Sequence, residues 1–157
     1  MKISILAVGK TSDNLVQEAV EKYAKRLTKY INVDFKFLPD LKKAANLSET
    51  EVCKQEGQLI IKHLAGASYV VLLDEKGKEF SSVGFAEFLQ KKMNAGEKHL
   101  VFIIGGAYGF SDEVKQKADF QISLSKMTFT HQMVRAIFAE QVYRAFSIIN
   151  NEPYHHE

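Results

Sequence analysis

The amino-acid sequence predicts an α/β protein with a mostly parallel sheet of about five strands and helices on both faces. Short apolar runs alternate with segments of helical length along the whole chain, which is typical of parallel α/β sheets. Several apolar runs show no polar alternation, as expected for strands that are buried on both faces. With 157 residues and no Pro/Ser-rich linker, residues 1–157 are expected to form a single domain.

Five strands and five helices are predicted in alternating order. The strands are expected at residues 3–8, 33–38, 69–73, 100–104 and 120–124. The helices are expected at residues 14–27 and 49–64, from 82 to about 96, in a short segment from 111, and at 131–149. Ser48 and Glu51 form a capping-box pattern at the start of the second helix. Ser111 is followed by two acidic residues, which suit the positive end of the fourth helix.

Composition limits the functional class. Apolar residues make up 46% and charged residues 25% of the chain, a balance typical of soluble globular proteins. No apolar run approaches the roughly 20 residues of a membrane helix. No secretory leader is visible, and the single cysteine, Cys53, has no second cysteine to pair with, so we expect a cytoplasmic protein. The formal net charge of +2 neither requires nor excludes nucleic acid as a partner.

A glycine-rich loop follows the fourth predicted strand, where residues 101–110 read VFIIGGAYGF. Its spacing differs from the G-x-G-x-x-G pattern of dinucleotide sites, and it lacks the Lys and Ser/Thr of a P-loop. Paired glycines at the end of a strand let a ligand approach the backbone closely. The loop therefore indicates either a nucleoside site built from main-chain groups or a tight turn.

The last predicted helix is unusually apolar. Of its 17 residues from Met133 to Ile149, 12 are apolar, too many for one face of a helix. We expect its second apolar side to be covered by a partner subunit, with a core helix inside the monomer as the alternative. Arg135 lies on the apolar face, where it is expected either to hold an anion or carbonyl or to extend its charged group to water. Glu140 and Arg144 have the spacing of an i,i+4 ion pair.

Four stretches of the sequence resemble the RlmH family of SPOUT methyltransferases. They are LLDEKGKEFSS, FIIGGAYGF, SLSKMTFTHQMVRAIFAEQVYRAF and the terminal NNEPYHHE. The opening MKISILAVGK also resembles the first strand of that family. The resemblance runs over the whole chain and is weakest at residues 42–67. Thr130 stands where the family has proline, which is expected to loosen the start of the last helix without removing a chemical group.

The resemblance implies methylation of 23S ribosomal RNA by S-adenosyl-L-methionine, at N3 of a pseudouridine in the loop of helix 69 in the large ribosomal subunit. It also implies a homodimer, no metal, and a C-terminal trefoil knot that brings the cofactor to a late glycine loop. The cofactor residues implied by motif position are Leu73, Gly105, Leu124, Ser125, Lys126, Met127, Thr128 and Phe129. The implied catalytic residues are Arg144, Tyr154 and His155.

The chemistry of methyl transfer suits these residue types. Displacement at a sulfonium depends on alignment, and a cationic sulfonium is compatible with carbonyl and hydroxyl groups. The N3 proton of the base must be lost, so His155 is expected to act as a general base, or Arg144 to stabilise the developing anion. The sequence leaves both roles open. Without the resemblance, the tail from Tyr154 onward would be interpreted as frayed.

Two other functions remain open from the sequence: another nucleotide-binding α/β enzyme, and a non-catalytic RNA-binding or ribosome-assembly protein.

RNA phosphates are expected to meet Lys76 and Lys78, which follow the cofactor strand. A basic face on the first helix is expected to be a solvated surface; it comprises Lys22, Lys25, Arg26 and Lys29. Cys53 and His63 have no partners at metal-ligand spacing.

Overall fold

The computed structural model describes residues 1–41 and 44–156, so Glu157, the last residue of the terminal motif, lies outside the described residues. Five strands form one sheet in the order β2-β1-β4-β3-β5. Every pairing between them is parallel, which confirms the predicted fold class. The strands are β1 (Lys2–Val8), β2 (Asn32–Leu38), β3 (Tyr69–Glu79), β4 (His99–Ile104) and β5 (Phe120–Ser123).

Helices cover both faces of the sheet, as predicted. They are α1 (Asn14–Leu27), α2 (Glu49–Lys62), α3 (Ser82–Asn94), α4 (Asp112–Lys117) and α5 (Met133–Ile149), with a 3-10 turn at Ala44–Asn46. Alternate residues of β4 belong to the hydrophobic cores on opposite faces of the sheet. Phe102 and Ile104 belong to the core beneath α1, α3 and α5, and Val101 and Ile103 to the core beneath α2 and α4. Within the described part of the chain, no helix is long and apolar enough to span a membrane.

Side-chain caps fix the starts of α2 and α4. The hydroxyl of Ser48 accepts the backbone N–H of Glu51 at the start of α2, and Ser111 does the same for Val114 in α4. These contacts confirm the predicted N-termini. A capping box would also have the Glu51 side chain bind back to Ser48. The carboxylate of Glu51 instead accepts a hydrogen bond from the side chain of Gln55, one turn further along α2, at 3.0 Å.

Most of the apolar circumference of α5 is covered within the chain, because α5 packs between α1 and α3, whereas Met133 at its start is 46% exposed. Phe138 is 0% exposed, and its ring centroid lies 4.9 Å from that of Phe102 and 6.0 Å from that of Phe85. The alternative of a core helix inside the monomer is therefore confirmed for α5. A partner subunit is not needed to cover Phe138, and a homodimer requires a separate argument.

Strand β3 extends six residues beyond the predicted end at Leu73. Leu73 pairs with Ile122 of β5, and after an irregularity Lys78 pairs with the same residue. Gly77 lies against the β5 backbone, since a Cβ atom there would be 2.5 Å from the carbonyl carbon of Ile122 and 2.6 Å from its nitrogen. Only glycine allows so close an approach. The predicted trefoil knot stays a prediction.

Candidate active site

A cleft of about 600 Å³ opens at the carboxyl ends of β4 and β5 and beside the middle of β3. This is the edge at which parallel α/β sheets bind ligands, and the volume is that of a small-molecule site. The lining consists of residues 73–76, 104–110, 121–125 and 127–129, together with Lys115, His131 and Val134. Three neighbouring strands thus contribute to one concave surface.

The residues expected to bind a cofactor meet at this cleft, with one exception. Leu73, Gly105, Leu124, Ser125, Met127, Thr128 and Phe129 line the cleft, whereas Lys126 is not part of the lining. Sequence reasoning missed Asp74 and Glu75, which line the cleft from the unpredicted part of β3, and also Tyr108 and His131. Tyr108 lies between Gly106 and Gly109 in the glycine-rich loop, so its position in that loop could have identified it.

The glycine loop forms one wall of the cleft and is also a tight turn. Gly106 and Gly109 pair in an antiparallel bridge, and Gly109 has a φ of 80°. A Cβ atom at Gly105 would lie 3.1 Å from the ring of Phe110 and 3.2 Å from the carbonyl oxygen of Gly109. Gly105 thus packs tightly against the rest of the folded loop. The two interpretations of the sequence, a ligand wall and a tight turn, are compatible.

The segment after β5 uses its hydroxyl groups to hold its own backbone. The hydroxyl of Ser123 donates to the carbonyl of Ser125 at 3.0 Å, and the hydroxyl of Ser125 accepts the N–H of Met127 at 2.9 Å. Thr130 accepts the N–H of Met133 at 3.2 Å. The expectation that Thr130 loosens the start of α5 is therefore wrong, because its hydroxyl and carbonyl both bind the first turn of the helix.

Charged side chains of both signs stand at the cleft. Asp74 and Glu75 contribute carboxylates, and Lys76 and Lys115 contribute amines. The backbone N–H of Lys76 donates to Asp74 Oδ1 at 2.9 Å, which fixes the backbone between Asp74 and Lys76. A ligand with both positive and negative groups would find counter-charges here. Among the described residues, no three His, Cys, Asp or Glu side chains form a group suited to a metal ion.

The three residues expected to be catalytic form a second group together with Glu140. We call this group the C-terminal cluster: Glu140, Arg144, Tyr154 and His155. Arg144 Nη2 donates to Glu140 Oε1 at 2.5 Å, which confirms the predicted i,i+4 pair. Tyr154 Oη donates to the same oxygen at 3.1 Å. Arg144 Nη1 lies 3.3 Å from His155 Nδ1. Because a guanidinium only donates, Nδ1 is the acceptor in this contact.

Packing and charge define the protonation of the C-terminal cluster. The hydrogen bond to Glu140 raises the pKa of Arg144 above its ordinary value, so its guanidinium is cationic. Burial, the hydrogen bond with Tyr23 and the negative charge of Glu140 raise the pKa of Tyr154, so its phenol is neutral. The ring of Tyr154 packs edge-on against Tyr143, with centroids 4.8 Å apart. The tail is therefore docked on α5, and the frayed-tail interpretation is wrong for Tyr154.

The cleft and the C-terminal cluster are separate within one chain. Val134 lines the cleft near the start of α5. Arg144 lies ten residues further along that helix, a distance of about 15 Å along its axis. Among the described residues, none from 140 to 156 lines the cleft. The structure thus assembles the sequence-predicted site residues as two groups.

Arg135 anchors α5 beside the cleft and is 1% exposed. It donates to the carbonyl oxygen of Val8 at 2.6 Å and to Thr11 Oγ1 at 2.8 Å. The expectation that Arg135 holds a carbonyl is confirmed, and its charged group does not extend to water. Burial lowers the pKa of Arg135, and the nearby Asp40 opposes this effect.

Comparisons with known proteins agree in sequence and in fold. Two relatives named ribosomal RNA large subunit methyltransferase H are similar over the full length of both chains: one from Parabacteroides distasonis, 54% identical over 157 residues, and one from Flavobacterium johnsoniae, 53% identical over 157 residues. A probable methyltransferase from Bordetella pertussis shares the fold, with a TM-score of 0.54 and 8% identity over 92% of this chain and 95% of that one. A family model described as predicted SPOUT methyltransferase matches residues 1–155. The chain therefore belongs to the SPOUT methyltransferase family.

Proposed function

We propose that this chain transfers a methyl group from S-adenosylmethionine to 23S ribosomal RNA, at N3 of a pseudouridine in the loop of helix 69 of the large ribosomal subunit. The observation that carries the proposal is the full-length identity of 53% and 54% to relatives named methyltransferases of large-subunit ribosomal RNA. In this proposal residues 1–157 act as one catalytic domain, in the cytoplasm, where ribosomes are found.

The cleft is the proposed cofactor site. S-adenosylmethionine supplies an activated methyl group on a cationic sulfonium, next to an amino acid group that carries both charges. The carboxylates of Asp74 and Glu75 and the amines of Lys76 and Lys115 at the cleft suit these groups. Backbone groups of the glycine loop and of residues 124–129 suit the uncharged adenosine portion. Seven of the eight expected residues line the cleft, and Lys126, which lies between two of them, stays an expected cofactor residue.

The C-terminal cluster is the proposed catalytic group. As the N3–methyl bond forms, the proton of N3 must pass to a base. Cationic Arg144, which Glu140 holds, stabilises negative charge on the carbonyl oxygens of the RNA base. His155 accepts the proton. Since Arg144 donates to His155 Nδ1, movement of Arg144 toward the RNA frees that nitrogen, and the two roles act together.

A homodimer would bring the two groups together. The C-terminal cluster of one chain is proposed to reach the cleft of the other, since about 15 Å of α5 separates the groups within a chain. Exposed apolar side chains offer a surface for a second copy: Met127, which lines the cleft, is 76% exposed, Leu15 of α1 77% and Met133 of α5 46%. Exposed apolar groups of this size favour association with another surface.

The proposed function is tested by methyl transfer from labelled S-adenosylmethionine to ribosomes from a strain that lacks the enzyme, followed by mapping of the modified nucleotide. We expect one methyl group per ribosome, on N3 of a helix 69 pseudouridine. Ribosomes that already carry the methyl group serve as the control and should accept none. Binding to ribosomes without methyl transfer would favour the non-catalytic alternative, and binding of NAD or ATP in place of S-adenosylmethionine would favour another nucleotide-binding enzyme.

A further inference from the structure

Helix α2 supports the glycine loop from the side that faces away from the cleft. Cys53 Sγ donates to the carbonyl oxygen of Tyr108 at 3.1 Å. Glu56, three residues later and on the same face of α2, places its carboxyl group against Gly106. Helix α2 also packs against α4, which begins just after the loop. The loop that lines the cleft therefore lies between the cleft and this face of α2.

The carboxyl group of Glu56 occupies the space that a side chain at Gly106 would need. A Cβ atom at Gly106 would lie 2.5 Å from Glu56 Oε2 and 2.7 Å from Oε1. Oε2 is buried and has no hydrogen-bond partner among the described residues. Burial raises the pKa of the Glu56 carboxyl, and the negative charge of Asp40 raises it further. The Glu56 carboxyl can therefore lie in this place only because residue 106 has no side chain.

A carboxyl group is a costly way to fill this space. A buried polar atom without a partner destabilises the folded state, and leucine or methionine would occupy a similar volume without that penalty. Oε2 forms no hydrogen bond with the loop among the described residues, so Glu56 acts on Gly106 by packing against it. Because Gly106 follows Gly105 directly, a shift at Gly106 moves the wall of the cleft.

We propose that Glu56 is a positioning residue for cofactor binding: its carboxyl group holds Gly106, and with it the Gly105 wall, in the conformation that S-adenosylmethionine binds. The inference rests on the proposed function, because it takes the cleft to be the cofactor site. Glu56 acts through the loop and has no contact with the reacting atoms.

The test measures the Kd of S-adenosylmethionine by calorimetry on the full chain, with the wild type, Glu56→Ala, Glu56→Gln and Gln58→Ala, an exposed position on the same helix. We expect Glu56→Ala to raise the Kd about tenfold. Glu56→Gln should stay within about threefold of the wild type, since the amide keeps the shape and polarity of the group. Gln58→Ala should leave the Kd unchanged. The kcat at saturating cofactor and the KM for ribosomes should change less than about twofold in all variants.

An unchanged Kd in folded Glu56→Ala would overturn the inference, and so would a fall in kcat without a change in Kd. If Glu56→Ala does not fold, Glu56→Asp replaces it, because aspartate withdraws the carboxyl by one methylene. A Kd raised about fivefold supports the inference, and an unchanged Kd overturns it. If the wild-type chain does not bind S-adenosylmethionine, the proposed function itself is rejected. If the wild type binds it and no Glu56 variant changes the Kd, only the positioning role of Glu56 is rejected.

Discussion

The cleft and the C-terminal cluster are built in different ways. The cleft is largely a main-chain structure, in which glycines allow close approach and the hydroxyls of Ser123 and Ser125 hold the backbone. The cluster is a side-chain structure, in which Glu140 accepts hydrogen bonds from both Arg144 and Tyr154. A main-chain site is sensitive to added atoms, and a side-chain site is sensitive to lost functional groups. We therefore expect added atoms to be most harmful near the cleft, and removed side-chain groups to be most harmful in the C-terminal cluster.

Deleting residues 154–157 should have the largest effect on activity. We expect methyl transfer to fall about 10²–10⁴-fold, the range of a lost general base. The Kd of S-adenosylmethionine should stay within about twofold of the wild type, because none of the described residues of the tail lines the cleft. The Tm should fall by a few degrees, since Tyr154 packs against Tyr143. His156→Ala is the matched control, since this side chain is exposed, and full activity in the truncated protein would show that the tail is not catalytic.

Gly77→Ala should have the largest effect on stability. The added methyl group would meet the backbone of Ile122 at 2.5 Å, and overpacking of this kind costs about 2–3 kcal/mol of unfolding free energy. Denaturant unfolding measures the change. Gly84→Ala is the control, because Gly84 lies in α3 and its new Cβ would contact only side-chain atoms, the nearest at 3.3 Å. Equal stability of the two variants would show that β3 and β5 separate easily.

Glu140→Gln should reduce turnover about tenfold, the effect of losing a charge-assisted hydrogen bond. The amide still fills the space but no longer carries the negative charge that holds Arg144 and Tyr154 in place. Cofactor affinity should not change, because Glu140 lies outside the cleft lining. Steady-state kinetics and calorimetry on the same sample give both numbers. A raised Kd with normal kcat would assign Glu140 to the cofactor site instead.

Glu152→Gln should have the smallest effect, and that effect should depend on pH. Hydrogen bonds from Tyr30 and Lys29 lower the pKa of Glu152 below its ordinary value of 4.5. The stabilisation is therefore complete above that value and is lost as the pH falls through the lower pKa of the folded state. We expect the variant to melt slightly below the wild type at pH 6, since exposed ion pairs contribute little. The difference should shrink below pH 4.5, and a difference that grows on acidification would contradict this account.

Much of the fold follows from local patterns. Four strands and all five helices were predicted close to their observed bounds, because buried strands and capped helices leave signals within a few residues. Strand β3 was predicted too short because residues 74–79 are polar or glycine. Their pairing with β5 depends on backbone hydrogen bonds, and no apolar alternation marks it.

The site was predictable only in part. Motif positions identified the residues that surround the cleft, and they also identified the C-terminal cluster. The contact between Cys53 and Tyr108 joins residues 55 positions apart, and the contact of Glu56 with Gly106 spans a similar stretch of chain. No periodicity in one sequence encodes such pairs. The apolar face of α5 did not distinguish a core helix from a subunit interface, because apolar residues at a helix–helix contact within the chain show the same pattern.

The proposed action of the cleft of one chain with the C-terminal cluster of another can be tested by complementation in mixed dimers. One chain carries Arg144→Ala and His155→Ala. The other carries Ala107→Trp, which places an indole in the cleft from an exposed position, and loss of cofactor binding is verified first. Each variant alone should be inactive. Dimers isolated with one chain of each kind should recover a substantial part of wild-type methyl transfer, because one intact cleft faces one intact cluster. Mixed dimers as inactive as their parents would contradict the account and place both groups of the site within a single chain.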